Sequence, residues 1–363
     1  MVDMPHIDKK YYTGANLLSQ MDENGQKPGI FLSNSNRSAG KTSYFQIYCL
    51  QGYLLLGEKF LMICRKKAEL KDIHVSFMDM LSLYFDNAKM NCKWFVDRLV
   101  MGLYYEGKIC GYAISLKDAN DLKKYSAIFK DVTRVMMDEL QPETGGYLKN
   151  EIDLFESVVQ TVSRGGGKQS RYIEWLLLSN NISVMNPYFI NLGIYNYIDD
   201  SMNIKAGEDF YIKGDGWVSE FSFNESAKSE MEVNPAIRAF NSRNSILGLT
   251  ADFMIKSGGF ITKKMSGKMQ YLWTLKYKGE KMGVRKYVKD GKPIIYITSS
   301  FDPSFKDIVS LSDSDHEDCT VMIRKNTFYM QVMRDAYVIG GLRFSDVKVK
   351  NAIVELLGID YYK

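Results

Sequence analysis

Residues 31–43, FLSNSNRSAGKTS, run from a short apolar strand through a turn of small residues into a helix opened by Gly40-Lys41-Thr42. A chain that carries such a segment must fold a strand–loop–helix unit, which points to an α/β architecture. The pattern suits phosphate. Small side chains let backbone N–H groups approach an anion, and a helix N-terminus adds donors and a favourable dipole. Ser35, Asn36, Arg37, Ser38, Ala39, Gly40, Lys41 and Thr42 are therefore candidate nucleotide-binding residues. Lys41 would reach the β- and γ-phosphates of ATP, and the Thr42 hydroxyl would hold Mg²⁺. Ser35 stands where such loops usually begin with Gly or Ala. A surface turn that happens to carry a lysine would look the same over this stretch alone.

A second stretch bears on that choice. Val132-Thr133-Arg134-Val135-Met136-Met137 reads as a buried strand ending in Asp138-Glu139, about 95 residues after the Gly-Lys-Thr triplet. Asp138 is suited to orient the metal and Glu139 to polarise an attacking water. Paired acids after an apolar run are often only structural. Following such a loop, with an αβ pattern between, they point to nucleotide hydrolysis.

The 363 residues exceed what one core usually holds, so two domains are expected. Apolar spacing predicts a helix over 42–56, a strand over 59–64 that runs into Arg65-Lys66-Lys67, and a helix over 77–85. A hairpin turns at Glu106-Gly107. Tyr11 and Tyr12 either pack on an adenine base or belong to the core. A helix over 150–162 delivers Arg164 beside Gly165-Gly166-Gly167, where an arginine could reach a neighbouring subunit's phosphates or simply face solvent. The strand ending at Asn180 could sense a γ-phosphate through the amide, or end in a plain turn. Gly and charge become denser over 203–224, which reads as a linker, followed by a helix over 234–247. Strands over 253–255, 271–278, 282–288 and 294–298, then helices over 329–337 and 347–357, complete a mixed α/β second domain.

Charge is uneven. Residues 256–292 hold eleven Lys/Arg against Glu280 and Asp290, whereas 302–318 hold six acids against Lys306. The basic block could face nucleic acid or be a solvated strand face. Five scattered cysteines without a CxxC support neither a disulfide framework nor a zinc site, and a reducing cytoplasm is the simplest setting. No run approaches a membrane span, so no membrane partner is expected.

With these residues in view, the chain resembles the DNA-packaging motor ATPases of small phi-twenty-nine-like phages, relatives of large terminase subunits. The resemblance rests on Asn36-Arg37-Ser38-Ala39-Gly40-Lys41-Thr42, the run Arg65 through Leu70, Met137-Asp138-Glu139 and Thr161-Val162-Ser163-Arg164. Leu178-Ser179-Asn180, Val184-Met185-Asn186-Pro187-Tyr188-Phe189, Phe301-Asp302-Pro303-Ser304 and Gly341-Leu342-Arg343-Phe344 add to it. It implies a P-loop ATPase domain of the ASCE class over 1–205, with a largely parallel sheet covered by helices on both faces. A linker subdomain over 206–250 and a vestigial RNase H-like domain over 251–363 would follow. It implies a homomeric ring, expected to be a pentamer, that uses ATP and Mg²⁺ in the host cytoplasm. The ring would dock on the portal of a procapsid and drive double-stranded DNA inward. Arg164 then matches a trans-acting arginine finger, with Arg171 as substitute. Lys66, Lys67 and Lys124 match DNA-contacting positions.

Terminase relatives carry a C-terminal nuclease that needs clustered carboxylates around two metals. The matching strand here, Trp273-Thr274-Leu275-Lys276-Tyr277-Lys278, has lysines and no acid. Nuclease activity is therefore not expected, and the basic surface would contact DNA, the portal or a structural packaging RNA. Two other readings stay open: a terminase with a working nuclease, and a non-catalytic portal or RNA-binding adaptor.

Overall fold

The computed structural model describes residues 11–357 apart from 37, 82–83, 86–88, 143–146, 165–169, 181–185, 198–208, 234, 236–259, 290, 307, 311–314, 317–319 and 323–326. Its contacts divide the chain into two units, Met1–Ile182 with Ile204–Ala251, and Ser183–Asn203 with Asp252–Lys363.

The first unit is built on a nine-stranded sheet. Its strands are β1 (Ile30–Ser35), β2 (Lys59–Cys64), β3 (Met90–Val96), β4 (Val100–Tyr105), β5 (Lys108–Ser115), β6 (Val132–Met137), β7 (Glu174–Asn180), β8 (Phe210–Gly214) and β9 (Trp217–Phe221). They lie in the order β3-β4-β5-β2-β6-β7-β1-β9-β8. The six strands from β5 to β9 in that order run parallel, and antiparallel hairpins close both edges. β7 lies between the loop strand β1 and the acid strand β6, consistent with the expected ASCE class.

The central strands read as unbroken apolar runs because both of their faces are covered. Helix α1 (Lys41–Leu56) sets Phe45, Ile47 and Leu50 in one core cluster with Phe31, Phe60, Met62, Met136 and Leu176. Helix α2 (Glu151–Ser163) covers the opposite face, where the Phe155 and Trp175 rings meet at 5.5 Å. Gly57, at φ 71°, ends α1 by sending its N–H back to the Tyr53 carbonyl, a left-handed turn that glycine makes without steric cost.

Two expectations change, and one turn has no signal in the sequence. The helix expected over 77–85 starts earlier, at Leu70–Val75, and continues as a wide turn over Ser76–Met80. The break between β3 and β4 falls at Asp97 and Arg98, both with positive φ, and carries no glycine to announce it. Part of the expected linker, Phe210–Phe221, is instead a hairpin in the main sheet, with β9 paired to β1 from Ile30/Trp217 to Asn34/Phe221. After it comes α3 (Glu225–Val233). The strand expected over 253–255 lies outside the described residues, as does nearly all of the helix expected over 234–247.

The second unit holds a six-stranded sheet of β10 (Met269–Tyr277), β11 (Glu280–Lys289), β12 (Lys292–Thr298), β13 (Ile308–Ser310), β14 (Thr320–Met322) and β15 (Leu342–Phe344). The order is β14-β13-β10-β11-β12-β15. β10, β11 and β12 form an antiparallel meander, while β13, β14 and β15 each add in parallel to a neighbour. Trp273, Leu275, Val284 and Ile297 are buried with Met330 and Met333 of α4 (Phe328–Val338) and Ile353 of α5 (Val347–Leu357). No helix among the described residues is long and apolar enough to cross a membrane.

Candidate active site

The parallel strands β1, β6 and β7 end at one edge of the sheet, and the candidate residues from all three converge there. A cavity of about 530 Å³ is lined by Ser38, Ala39, Gly40, Lys41, Thr42, Asp138, Glu139 and Asn180, with Tyr11, Tyr44 and Tyr84 among the aromatic walls. Gly40 has φ 100°, a conformation that L side chains rarely adopt, and a Cβ there would lie 3.3 Å from the Tyr11 Cβ. Gly40 also offers no side-chain cap to the first turn of α1, which suits a helix end meant for an anion.

Lys41 is buried and folded back on its own loop. Its Nζ donates to Ser35 Oγ at 2.8 Å, the Asn36 carbonyl at 3.2 Å and Asn180 Oδ1 at 3.2 Å. The hydroxyl at Ser35, where Gly or Ala is usual, thus serves as a resting partner for the ammonium. Thr42 Oγ1 donates to Asp138 Oδ2 at 2.6 Å, and Asp138 Oδ1 accepts the Glu139 N–H at 2.8 Å. A hydroxyl and a carboxylate at one spot form a hard oxygen donor set, which fits Mg²⁺. Glu139 has φ 53°, in the left-handed region that is costly for a side chain of this kind, so its backbone is held by its surroundings.

Burial pulls the Lys41 ammonium down to about 8, against the opposing pull of the Asp138 and Glu220 carboxylates. This sets a pH dependence. An anion bound at Lys41 raises that pKa again, so binding above pH 8 requires proton uptake. Nucleotide affinity should hold steady between pH 7 and 8 for this group. It should then fall up to about tenfold per pH unit above 8. Fluorescent-nucleotide titrations from pH 7 to 9.5 check it, and an affinity flat to pH 9.5 contradicts it.

Beneath the loop lies a group that the sequence reading missed. Glu220 of β9 is fully buried, and its carboxylate accepts from the Tyr12 hydroxyl, from Tyr211 at 3.0 Å and from Ser33 at 3.4 Å. Burial pushes its carboxyl up to about 7, while the hydroxyl donors pull it back. The Tyr12 N–H in turn donates to the Ala39 carbonyl at 2.8 Å. Tyr12 is thus a core residue bracing the loop, whereas Tyr11 lines the cavity. Asn36 adds a second brace, its amide donating to the Asn224 carbonyl at 2.9 Å and accepting the Asn224 N–H at 2.9 Å.

The remaining candidates are not among the walls of this cavity, although Lys66 lines a neighbouring pocket with Asp138 and Glu139. Arg37 is outside the described residues. Lys66 and Lys67 are exposed at the end of β2, where Glu69 accepts the N–H of Lys66 at 3.0 Å and Lys67 Nζ is 3.7 Å from Asp118. Lys124 is exposed, with its ammonium 5.2 Å from the Tyr125 ring. Arg164 is exposed at the far end of α2, away from the cavity. Its rival Arg171 is consumed by structure, because its guanidinium donates to the carbonyls of Phe129, Val132 and Val162 at 2.8–3.1 Å.

The model of the podovirus DNA encapsidation protein family (Gp16) matches residues 8–359. The chain belongs to that family. Proteins similar to it include the DNA packaging proteins of Bacillus phage phi29 and Bacillus phage B103. Both are 25% identical, covering 88% and 90% of this chain and 90% and 94% of their own lengths. The fold is also that of solved packaging-motor chains. One comes from the bacteriophage Phi-29 viral genome packaging motor assembly, with a TM-score of 0.65 at 21% identity over 96% of this chain and 99% of that one. Another, from the Phi-28 gp11 DNA packaging motor, gives 0.60 at 18% identity over 98% and 100%. As a family member, the chain is a phage DNA packaging protein.

Proposed function

We propose that this encapsidation protein is the ATP-hydrolysing motor that drives double-stranded DNA into a preformed capsid. The observation that carries the reading is the convergence of Lys41, Thr42, Asp138, Glu139 and Asn180 on one cavity at the ends of β1, β6 and β7. Lys41 would leave its loop partners to bind the β- and γ-phosphates, and Asn180, its partner across the cavity, would register the γ-phosphate. Thr42 and Asp138 would hold Mg²⁺, which when bound offsets charge on the phosphate oxygens. Glu139 would orient and polarise the attacking water, accepting its proton.

The site would be completed by a neighbouring subunit. Arg171 donates both to the Val132 carbonyl at the start of β6 and to the Val162 carbonyl of α2, which fixes the end of α2 near that start. Asp138 follows the other end of β6, a strand of six residues and so roughly 20 Å away. Arg164 is thus poorly placed for its own γ-phosphate, which favours a homomeric ring, taken as a pentamer, in which each subunit supplies the finger for the next. Lys66, Lys67 and Lys124 would contact the DNA backbone without reading its sequence.

In the second unit, three antiparallel strands followed by β13 and β14 added in parallel beside β10 give the order expected of an RNase H-like sheet. β10 carries no acid, and among the described residues no three His, Cys, Asp or Glu side chains cluster as a metal site. Asp315 there has a structural task, accepting the N–H groups of Lys278 at 2.8 Å and Gly279 at 2.6 Å, while Asp313, Glu317 and Asp318 lie outside the described residues. The acid-free β10 is what supports reading this unit as a basic docking surface for DNA, portal or packaging RNA in place of a working nuclease.

The test uses purified protein with empty portal-bearing shells, duplex DNA, ATP and Mg²⁺. Phosphate release and DNA protected inside shells are expected, while supercoiled plasmid with Mg²⁺ or Mn²⁺ stays intact. Absence of phosphate release counts against the motor and favours a non-catalytic adaptor. Metal-dependent nicking counts against the inactive second domain.

A further inference from the structure

Arg65 opens the basic run Arg65-Lys66-Lys67, but unlike the two lysines it is buried. Its side chain is 7% exposed and that of Glu151 is 1% exposed, and the two form a forked pair. Nε of Arg65 donates to both Glu151 carboxylate oxygens, at 3.0 and 2.9 Å, and Nη2 donates to Oε1 at 2.8 Å. The rest of the guanidinium is directed at the loop after β6. Nη1 donates to the Glu139 carbonyl at 3.1 Å and Nη2 to the Leu140 carbonyl at 2.9 Å.

We infer that Arg65 and Glu151 are a positioning pair that ties the carboxylate loop of one subunit's site to the helix carrying the arginine finger for the next. The inference rests on the trans-finger reading above. Glu151 is the first residue of α2, and Arg164 follows its last. Between them Phe155, Val158 and Val162 are buried, so the helix is seated as a unit. Thirteen residues at 1.5 Å each make a rod of about 20 Å. At its finger end Arg171 grips the Val162 and Ser163 carbonyls.

At its other end, Glu151 also accepts the Leu148 N–H at 2.7 Å, which fixes the approach to the helix. The Glu139 backbone sits in the left-handed region, held by Arg65 on its carbonyl and by the Leu140 N–H donating to the Leu178 carbonyl at 2.8 Å. A change in that strained peptide as the water-polarising side chain is engaged or released must pull on the fork, and the fork holds the start of the rod.

Chemistry favours this over a purely stabilising role. A buried ion pair seldom adds stability beyond what an apolar pair of similar volume would give. What it supplies is direction, because planar bidentate geometry admits one arrangement of three partners, and lysine could not substitute.

Mixed rings test the inference. Donor subunits carry Glu139→Gln, which disables their own site, and acceptor subunits carry Arg164→Ala. Hydrolysis in the mixture comes from acceptor sites completed by donor fingers. Adding Glu151→Gln to the donors should lower this hydrolysis at least about tenfold while their nucleotide binding stays unchanged. Adding it to the acceptors should lower it similarly, through their own Glu139 loop. A structural support for the local loop alone would affect only the acceptors, so undiminished hydrolysis with altered donors overturns the inference. Loss confined to the donors overturns it too, since the pair would then not reach its own site. If Glu151→Gln fails to fold, Arg65→Met with Glu151→Leu replaces the pair by apolar side chains, and the same outcomes decide. A silent parent mixture would instead reject the trans finger itself.

Discussion

Lys41→Ala should abolish ATP binding and reduce turnover by at least 10²–10³, on the order of what loss of one preorganised charge-stabilising donor costs. The structure explains why the loss should fall on function while the fold survives. Lys41 Nζ spends its hydrogen bonds on Ser35 and Asn36 of its own loop and on Asn180 of the cavity wall. The loop itself is braced from behind by Tyr12 on Ala39 and by Asn36 on Asn224. Burial also weakens the ammonium's hold on its proton. Removing it therefore takes away a buried cation along with its bonds. Thermal melting separates the two effects. Saturating ATP should raise the melting temperature of the unaltered protein, since ligand at 100 times its Kd stabilises by about 2.7 kcal/mol. The variant should melt normally without nucleotide and show no rise with it. Retained ATP affinity would remove the phosphate-loop assignment.

The parts of the site that were legible in the sequence are those written in consecutive residues. Gly40-Lys41-Thr42 and Asp138-Glu139 carry their chemistry in local order, and the apolar runs before them fix β1 and β6. What escaped is held by pairs far apart in the chain. Tyr12 and Glu220 are 208 positions apart, and Arg65 and Glu151 are 86 apart. Each member looks ordinary alone, one as a lead-in tyrosine or a glutamate in a polar stretch, the other as part of a basic run. The β8–β9 hairpin was hidden for a related reason. Its strands are five residues each and carry charged residues, which reads as linker, although Asp215-Gly216 between them is a strong hairpin turn signal. Glu220 faces the core only because β9 pairs with β1, which no local pattern states. Nor does the sequence show that Arg171, which follows the same helix as Arg164, spends its guanidinium on backbone carbonyls.

Arg164→Ala should leave ATP binding intact and lower hydrolysis by assembled rings on the order of 10³–10⁵, the range arginine fingers supply. The separation between binding and turnover is the distinguishing feature. The cavity is lined by Lys41, Thr42, Asp138, Glu139 and Asn180 of one chain, and Arg164 is not among its walls, so a single subunit has its phosphate and metal ligands without it. Charge on the transferring group is greatest in the transition state, and there a planar fork aimed at phosphate oxygens matters most. Arg164→Lys should restore little, because a point charge on a flexible stem lacks the fork. Two further results follow from a finger given in trans. Turnover per subunit should rise steeply with protein concentration as rings assemble, whereas a finger acting within its own chain would make it constant. Mixing Arg164→Ala subunits with Glu139→Gln subunits, each inactive alone, should recover part of the hydrolysis, since some acceptor sites meet an intact finger. Rings that assemble from this mixture and remain inactive would show that Arg164 serves its own subunit or none.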